Sequence, residues 1–245
     1  MTNNTISRSG LTCRTVDALP AGSSPKLLVF LCHGYGAPGT DLVPLAGSML
    51  RLDPVLAASV QFVFPEAPLS LDHMGLFGGR AWWHVDVGAL AQAVVTGRLR
   101  ELMDDEPAEL IQAREMLTSA VRESADETGI PLDRVVLGGF SQGAMLSTDV
   151  ALRIDDTLAG LCVMSGTLKT EQVWRQRADL HKNLRVLMSH GRQDPIVPFI
   201  GAVWLNELLV NAGLKVEFIQ FDGDHTIPQQ MLTKFADMLC ELVNH

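Results

Sequence analysis

The stretch Val135–Met145, VVLGGFSQGAM, sets Ser141 between Gly139 and Gly143 in the pattern G-x-S-x-G. Its apolar, β-branched start reads as the end of a buried strand, Arg134–Gly139, and a helix is expected over Gln142–Leu152. A strand that passes through one serine into a helix needs a sharp turn. Glycines on either side of the serine remove side chains that would collide with the neighbouring strand and helix. Such a turn lifts the hydroxyl clear of the backbone, as a nucleophile requires. The competing reading makes Ser141 only the N-cap of the helix.

Outward from this point the same alternation recurs. Apolar runs at Lys26–Cys32 (KLLVFLC), Val60–Phe64 (VQFVF), Gly160–Ser165 (GLCVMS), Arg185–His190 (RVLMSH) and Val216–Phe221 (VEFIQF) read as buried strands. Between them, Glu109–Glu127 has Leu110, Ala113, Leu117, Ala120 and Val121 on one helical face and Arg114, Glu115, Arg122 and Glu123 on the other; Gly129 and Pro131 stop it. Helices are also expected over Phe199–Asn211, stopped by Gly213, and Gln229–Val243. Strands alternating with helices imply right-handed crossovers, hence an α/β chain with a mainly parallel sheet and helices on both faces. No repeat, low-complexity tract or linker interrupts the pattern, so residues 1–245 read as one domain. The charged stretch Arg98–Pro107, RLRELMDDEP, reads as a solvated helix end or surface excursion.

Composition agrees with a large core: 245 residues, 47% hydrophobic and 19% charged. A net charge of -9 and no dense Lys/Arg stripe argue against nucleic acid or an anionic membrane surface as partner. The first ten residues lack the apolar core of a signal peptide. The run Leu27–Cys32 is far short of the roughly 20 residues that span a bilayer. The expectation is a soluble, cytoplasmic protein without an integral membrane segment. Cys13, Cys32, Cys162 and Cys240 have no C-x-x-C spacing and read as free thiols rather than disulfides or metal ligands.

In a parallel sheet, functional groups gather at the carboxyl ends of the strands, where Ser141 falls. A serine hydroxyl needs a base, and in this architecture the chain order is Ser, then Asp or Glu, then His. Of seven histidines, only His225 in FDGDHTIP stands directly after the last strand, in the final loop. Asp194 in SHGRQDPIVP is the favoured orienting acid; Asp222 and Asp224 compete, but carboxylates so close in sequence cannot easily face the ring while it faces the serine. The oxyanion donors expected are the backbone N–H groups of Gln142 and of Tyr35 in CHGYGAPG.

The segments LCHGYG, FPEAP, RAWWHVD, GFSQGA, HGRQDPIVP and GDHTI, spread from Leu31 to Ile227, together resemble the phospholipase/carboxylesterase family of α/β-hydrolases, which contains acyl-protein thioesterases and small bacterial carboxylesterases. The resemblance implies an α/β-hydrolase fold without a large cap domain, the triad Ser141, Asp194 and His225, main-chain oxyanion donors at Tyr35 and Gln142, no cofactor or metal, and hydrolysis of a small ester or acyl thioester or of an acylated protein. Ala144 stands where relatives usually carry glycine. Rival readings are a peptidase or lactone hydrolase on the same scaffold, or a binding module without catalysis. Met74, Leu76, Phe77, Trp82 and Trp83 form an apolar set suited to an acyl chain, with core packing an equal alternative for either tryptophan. Arg80 anchors a polar substrate end or makes a structural ion pair. Residues 69–79 are too apolar for an ordinary loop and are expected to form a mobile flap, the alternative being an edge packed into the core.

Overall fold

Side chains alternate across a strand, so a strand buried on both faces divides its apolar residues between two cores. In the computed structural model, which describes residues 1–244, the main sheet contains β1 (Thr2–Arg8), β2 (Leu11–Asp17), β3 (Leu27–Cys32), β4 (Val60–Pro65), β7 (Val135–Phe140), β8 (Gly160–Met164), β9 (Arg185–Gly191) and β10 (Lys215–Phe221). Their order is β1-β2-β4-β3-β7-β8-β9-β10, and a separate ladder joins β5 (Leu69–Ser70) to β6 (Arg80–Ala81). β2 is antiparallel to both its neighbours, whereas all pairings from β4 through β10 are parallel.

Every residue of β3 is buried. Leu28, Phe30 and Cys32 pack with α5 (Ala108–Thr128), α6 (Gln142–Arg153), α7 (Glu171–Ala178) and α8 (Phe199–Asn211). Leu27, Val29 and Leu31 face the other way, onto α1 (Val43–Leu52), α2 (Pro54–Ser59) and α9 (Gln229–Asn244). Helices therefore cover both faces, as the sequence pattern predicts. No helix among the described residues is long and apolar enough to cross a membrane.

The structure adds helices α1, α2 and α7, to which the sequence reading gave no element, and differs from it in two further regions. Residues 2–17, given no element there, form the β1–β2 hairpin at the sheet edge. Ser9 (φ 44°) and Gly10 (φ 79°) make its two-residue turn with positive φ at both positions, the geometry that matches strand twist. Ahead of and within Arg98–Pro107, expected as a solvated helix end or surface excursion, the stretch after Asp86 is helical. It holds α3 (Val87–Val95), capped by the Asp86 carboxylate on the Ala89 N–H at 2.9 Å, and α4 (Leu99–Met103). Glu106 then bridges Arg114 (2.6 Å) and Arg153 (2.5 Å), both of which also bind the buried Asp149. The Lys169 ammonium donates to the Met103 and Asp105 carbonyls, fastening the excursion to the body.

Phe30 is fully buried on the α5–α6 side of the sheet. Phe30→Ala is expected to lower unfolding free energy by about 3–5 kcal/mol in a urea titration at constant slope.

Candidate active site

β7 lies between β3 and β8, so the residue after it emerges at the carboxyl edge near the middle of the sheet. That residue is Ser141, with φ 54° and ψ -118°, a conformation that costs an L-residue about 1–3 kcal/mol. Its N–H is tied to the Met164 carbonyl at 2.8 Å, and helix α6 starts one residue later. Neighbouring backbone leaves no room for other residues. A Cβ on Gly139 would strike the Cys32 carbonyl and the Gly143 backbone, and one on Gly143 would strike the carbonyls of Cys32 and His33. Ser141 makes no side-chain cap hydrogen bond, so the N-cap alternative fails. Uncapped, the α6 N-terminus presents backbone N–H groups and the positive end of its dipole beside the hydroxyl.

Both ends of the Gln142 side-chain amide bind the Trp82–Trp83 backbone. Its Oε1 accepts from the Trp82 N–H at 2.8 Å and its Nε2 donates to the Trp83 carbonyl at 2.7 Å. This latch binds the nucleophile turn to residues 82–83. Both tryptophans belong to the core: Trp82 donates its indole N–H to the His33 carbonyl at 2.9 Å, and Trp83 is 4% exposed. Trp83 packs in the core, the alternative weighed for it from the sequence, and its carbonyl fixes Gln142.

Asp194 follows β9 and His225 follows β10, and these strands are parallel neighbours. Their loops are stitched by Arg192 N–H to the Phe221 carbonyl (2.9 Å) and Gln193 N–H to the Gly223 carbonyl (3.0 Å). His225 Nδ1 lies 2.6 Å from Asp194 Oδ2, and Asp194 Oδ1 accepts from the N–H groups of Ile196 (2.9 Å) and Val197 (2.8 Å). Burial pushes the Asp194 pKa up, but hydrogen bonds from His190, His225 and the Val197 N–H outweigh it and hold the carboxyl well below the usual carboxylate range. Asp222 and Asp224 are exposed and do not reach the ring. The imidazole packs on Phe140 at 4.7 Å between centroids, adjacent to Ser141. Among the described residues no hydrogen bond joins Ser141 Oγ to His225; catalytic hydrogen bonds are often long before substrate binds.

The remaining histidines do other things. Buried His33 accepts from the Ala67 N–H through Nε2 at 3.1 Å, which leaves its Nδ1 proton for the Gly34 carbonyl at 2.9 Å. It thereby joins FPEAP to the glycine-rich loop. His84 lies at the surface, 3.5 Å from Glu109 and edge-on to His73. His181 is buried, and His245 lies outside the described residues. His190 ends β9's apolar run ahead of Asp194 in the chain, yet its Nε2 sits 3.2 Å from Asp194 Oδ2, a contact without any signal in the spacing of residues.

On the other side of Ser141, Gly34 is so close that a Cβ there would lie 3.3 Å from the Ser141 Cβ, and Tyr35 comes next in the chain. The 69–79 segment abuts this loop: Gly36 N–H donates to the Arg80 carbonyl (2.9 Å) and Arg80 N–H to that of Ala37 (3.1 Å). Its stem is the β5–β6 ladder, and inside it Asp72 accepts from the Gly78 N–H at 2.7 Å. Met74 touches the Tyr35 hydroxyl through sulfur at 3.7 Å, and Leu76 lies near Gly36. Phe77 is 87% exposed, which rules out the packed-edge alternative for that ring. Arg80 donates to the Ala67 carbonyl at 2.9 Å and pairs with Glu66 at 3.5 Å, the structural role weighed from the sequence. No rival thiolate is available nearby, because burial pushes the Cys32 thiol up to about 12.

A carboxyl whose folded pKa is depressed stabilises the fold above its unfolded pKa and loses that contribution as pH falls. For Asp194 the loss begins below about pH 5, where the unfolded carboxylate starts to bind protons. Urea titrations between about pH 6 and pH 3 are expected to show a steeper fall in stability for the wild type than for Asp194→Asn, and parallel curves would contradict the hydrogen-bonded carboxylate.

Residues 18–242 match the family model described as Phospholipase/Carboxylesterase. The acyl-protein thioesterase 1 of Eremothecium gossypii is 29% identical over 221 residues, covering 87% of this chain and 87% of its own length. That of Kluyveromyces lactis is 30% identical over 176 residues, 71% of this chain and 72% of its own. Among solved structures, esterase PE8 superposes with a TM-score of 0.77 at 27% identity, covering 95% of this chain and 99% of its own. Strand order, the strained serine turn and a family match over nearly the whole chain agree: this protein belongs to the phospholipase/carboxylesterase family of α/β-hydrolases.

Proposed function

We propose that this protein is a serine hydrolase that cleaves carboxylic esters or thioesters through an acyl-enzyme on Ser141. The observation that carries the reading is the buried Asp194 carboxylate holding His225 at 2.6 Å, with the imidazole packed on the residue that precedes Ser141. In this mechanism His225 Nε2 takes the hydroxyl proton as Ser141 Oγ bonds to the carbonyl carbon. The negative oxygen is met by the N–H groups of Gln142 and Tyr35. Collapse expels the alkoxide or thiolate, which receives the proton from His225. Water, deprotonated by the same nitrogen, then attacks the acyl-enzyme, and as the bond to Ser141 Oγ breaks the proton returns from His225 to Oγ, releasing the acid. Asp194 keeps the proton of neutral His225 on Nδ1 and stabilises the imidazolium.

The substrate is a small ester, an acyl thioester or an acylated protein, a choice supported by the acyl-protein thioesterase names of the relatives. Met74, Leu76 and Phe77, 52%, 44% and 87% exposed on the flap beside Tyr35, are read as the cover for the acyl chain, each methylene buried there contributing about 0.8 kcal/mol. We extend the reading to a cytoplasmic setting, which the four free cysteines favour.

The test is turnover of p-nitrophenyl esters of increasing acyl length beside matched thioesters, a lactone and a peptide amide. Esters or thioesters are expected to turn over, and Ser141→Ala to lose turnover and labelling by a fluorophosphonate while staying folded. Phe77→Ala is expected to lower kcat/KM more for longer acyl chains. Turnover of the amide or lactone alone would transfer the assignment to those substrates, and equal labelling of parent and Ser141→Ala would remove Ser141 as nucleophile.

A further inference from the structure

The Asp194 carboxylate has two imidazole neighbours. Besides His225, the fully buried His190 places Nε2 3.2 Å from Asp194 Oδ2 and 2.9 Å from the Val197 carbonyl. Both neighbours of Nε2 are acceptors, since a carbonyl cannot donate and an ionised carboxylate has no proton. The nitrogen must therefore carry hydrogen and share it. Its Nδ1 is buried without any hydrogen-bond partner among the described residues. Protonating that atom as well would leave an N–H of a charged ring orphaned in the interior, a costly state. The ring is accordingly the neutral Nε2–H form, aimed at Asp194.

The geometry points to His190 as a positioning residue that acts through Asp194: its Nε2–H completes the hydrogen bonding of Oδ2 and sets how strongly the carboxylate engages His225. This rests on the proposed roles of Asp194 and His225. Oδ1 is already held by the Ile196 and Val197 N–H groups, so the carboxylate orientation is completed by what binds Oδ2. With two donors, Oδ2 divides its charge between them. With His190 removed, the charge concentrates on the bond to His225 and favours the protonated imidazole. The other charged or titratable groups facing this cluster are few. Arg192 lies over the Phe199 ring at 5.4 Å, that ring meets His190 edge-on at 6.0 Å, and Asp222 is 4.0 Å from Arg192.

The experiment compares kcat, KM and the pH profile of kcat/KM for wild type, His190→Leu and His190→Gln on one p-nitrophenyl ester. Glutamine carries an N–H donor the same number of bonds from Cα as Nε2, whereas leucine fills space without donating. Below the wild-type limb, His190→Leu is expected to lose about tenfold to a hundredfold in kcat/KM, because more of the base is held protonated. Its acid limb is expected to move to higher pH, and His190→Gln to recover most of the loss and return the limb toward the wild type. A loss in His190→Leu without movement of the limb, or a glutamine variant as impaired as the leucine one, would reduce His190 to a support for the Val197 loop and overturn the inference. If the leucine variant does not fold, nitrogen-15 resonances of the wild-type ring decide: a proton on Nε2 and a bare Nδ1 at neutral pH are expected, and a proton on Nδ1 overturns it. Failure of the triad itself would appear separately, as undiminished turnover in Ser141→Ala.

Discussion

The contact of the Cys32–His33 backbone with Gly139 and Gly143 is the constraint on which the site depends. Two chain segments meet there with no side chain between them, and only because they do can β7 turn into α6 through one strained serine. The same approach brings the end of β3 beside the nucleophile, and the loop through Tyr35 is held there by Gly36 N–H on the Arg80 carbonyl and Arg80 N–H on that of Ala37. His33 and the Gln142 side chain then fasten the arrangement from two directions, one to Ala67 and the other to Trp82 and Trp83. The strain at Ser141 is thus held by buried hydrogen bonds rather than relieved.

The second half of the site depends on strand order. Because β9 and β10 are parallel neighbours, their following loops emerge side by side and share main-chain hydrogen bonds. Asp194 and His225 are 31 residues apart in sequence and 2.6 Å apart in space. The carboxylate is buried where an unpaired charge would be prohibitive, and its hydrogen-bond donors make ionisation favourable. Between the two halves stands Phe140, which touches the imidazole and precedes the serine, so β7 supports both the nucleophile and the base.

Much of this was legible in the sequence because each proposed catalytic residue directly follows an apolar strand, and strand ends in a parallel sheet converge. The central strands were readable as short apolar runs, and helices α5, α6, α8 and α9 from their apolar periodicity and stop residues, whereas α7 carried no such signal. The N-terminal hairpin was hidden because its outward residues are polar, although the Ser9-Gly10 pair between alternating residues carried the signal. His190 looked like the last residue of a strand, and Gln142 like the first of a helix. What they bind depends on side-chain directions and on partners in distant segments, which no local pattern encodes. Trp83, legible as apolar, could not be assigned to core or pocket without knowing which way its side chain pointed after β6 ends at Ala81.

The central claim is that acyl transfer passes through Ser141, and the direct measurement is chemical trapping during turnover. A p-nitrophenyl ester mixed with excess enzyme, quenched in acid before deacylation is complete and digested for peptide mass analysis, is expected to show the acyl mass on the peptide containing Ser141, its amount rising and then falling as free acid appears. Release of acid with no acyl group ever found on Ser141, or its accumulation on another residue on the pathway, would contradict the account.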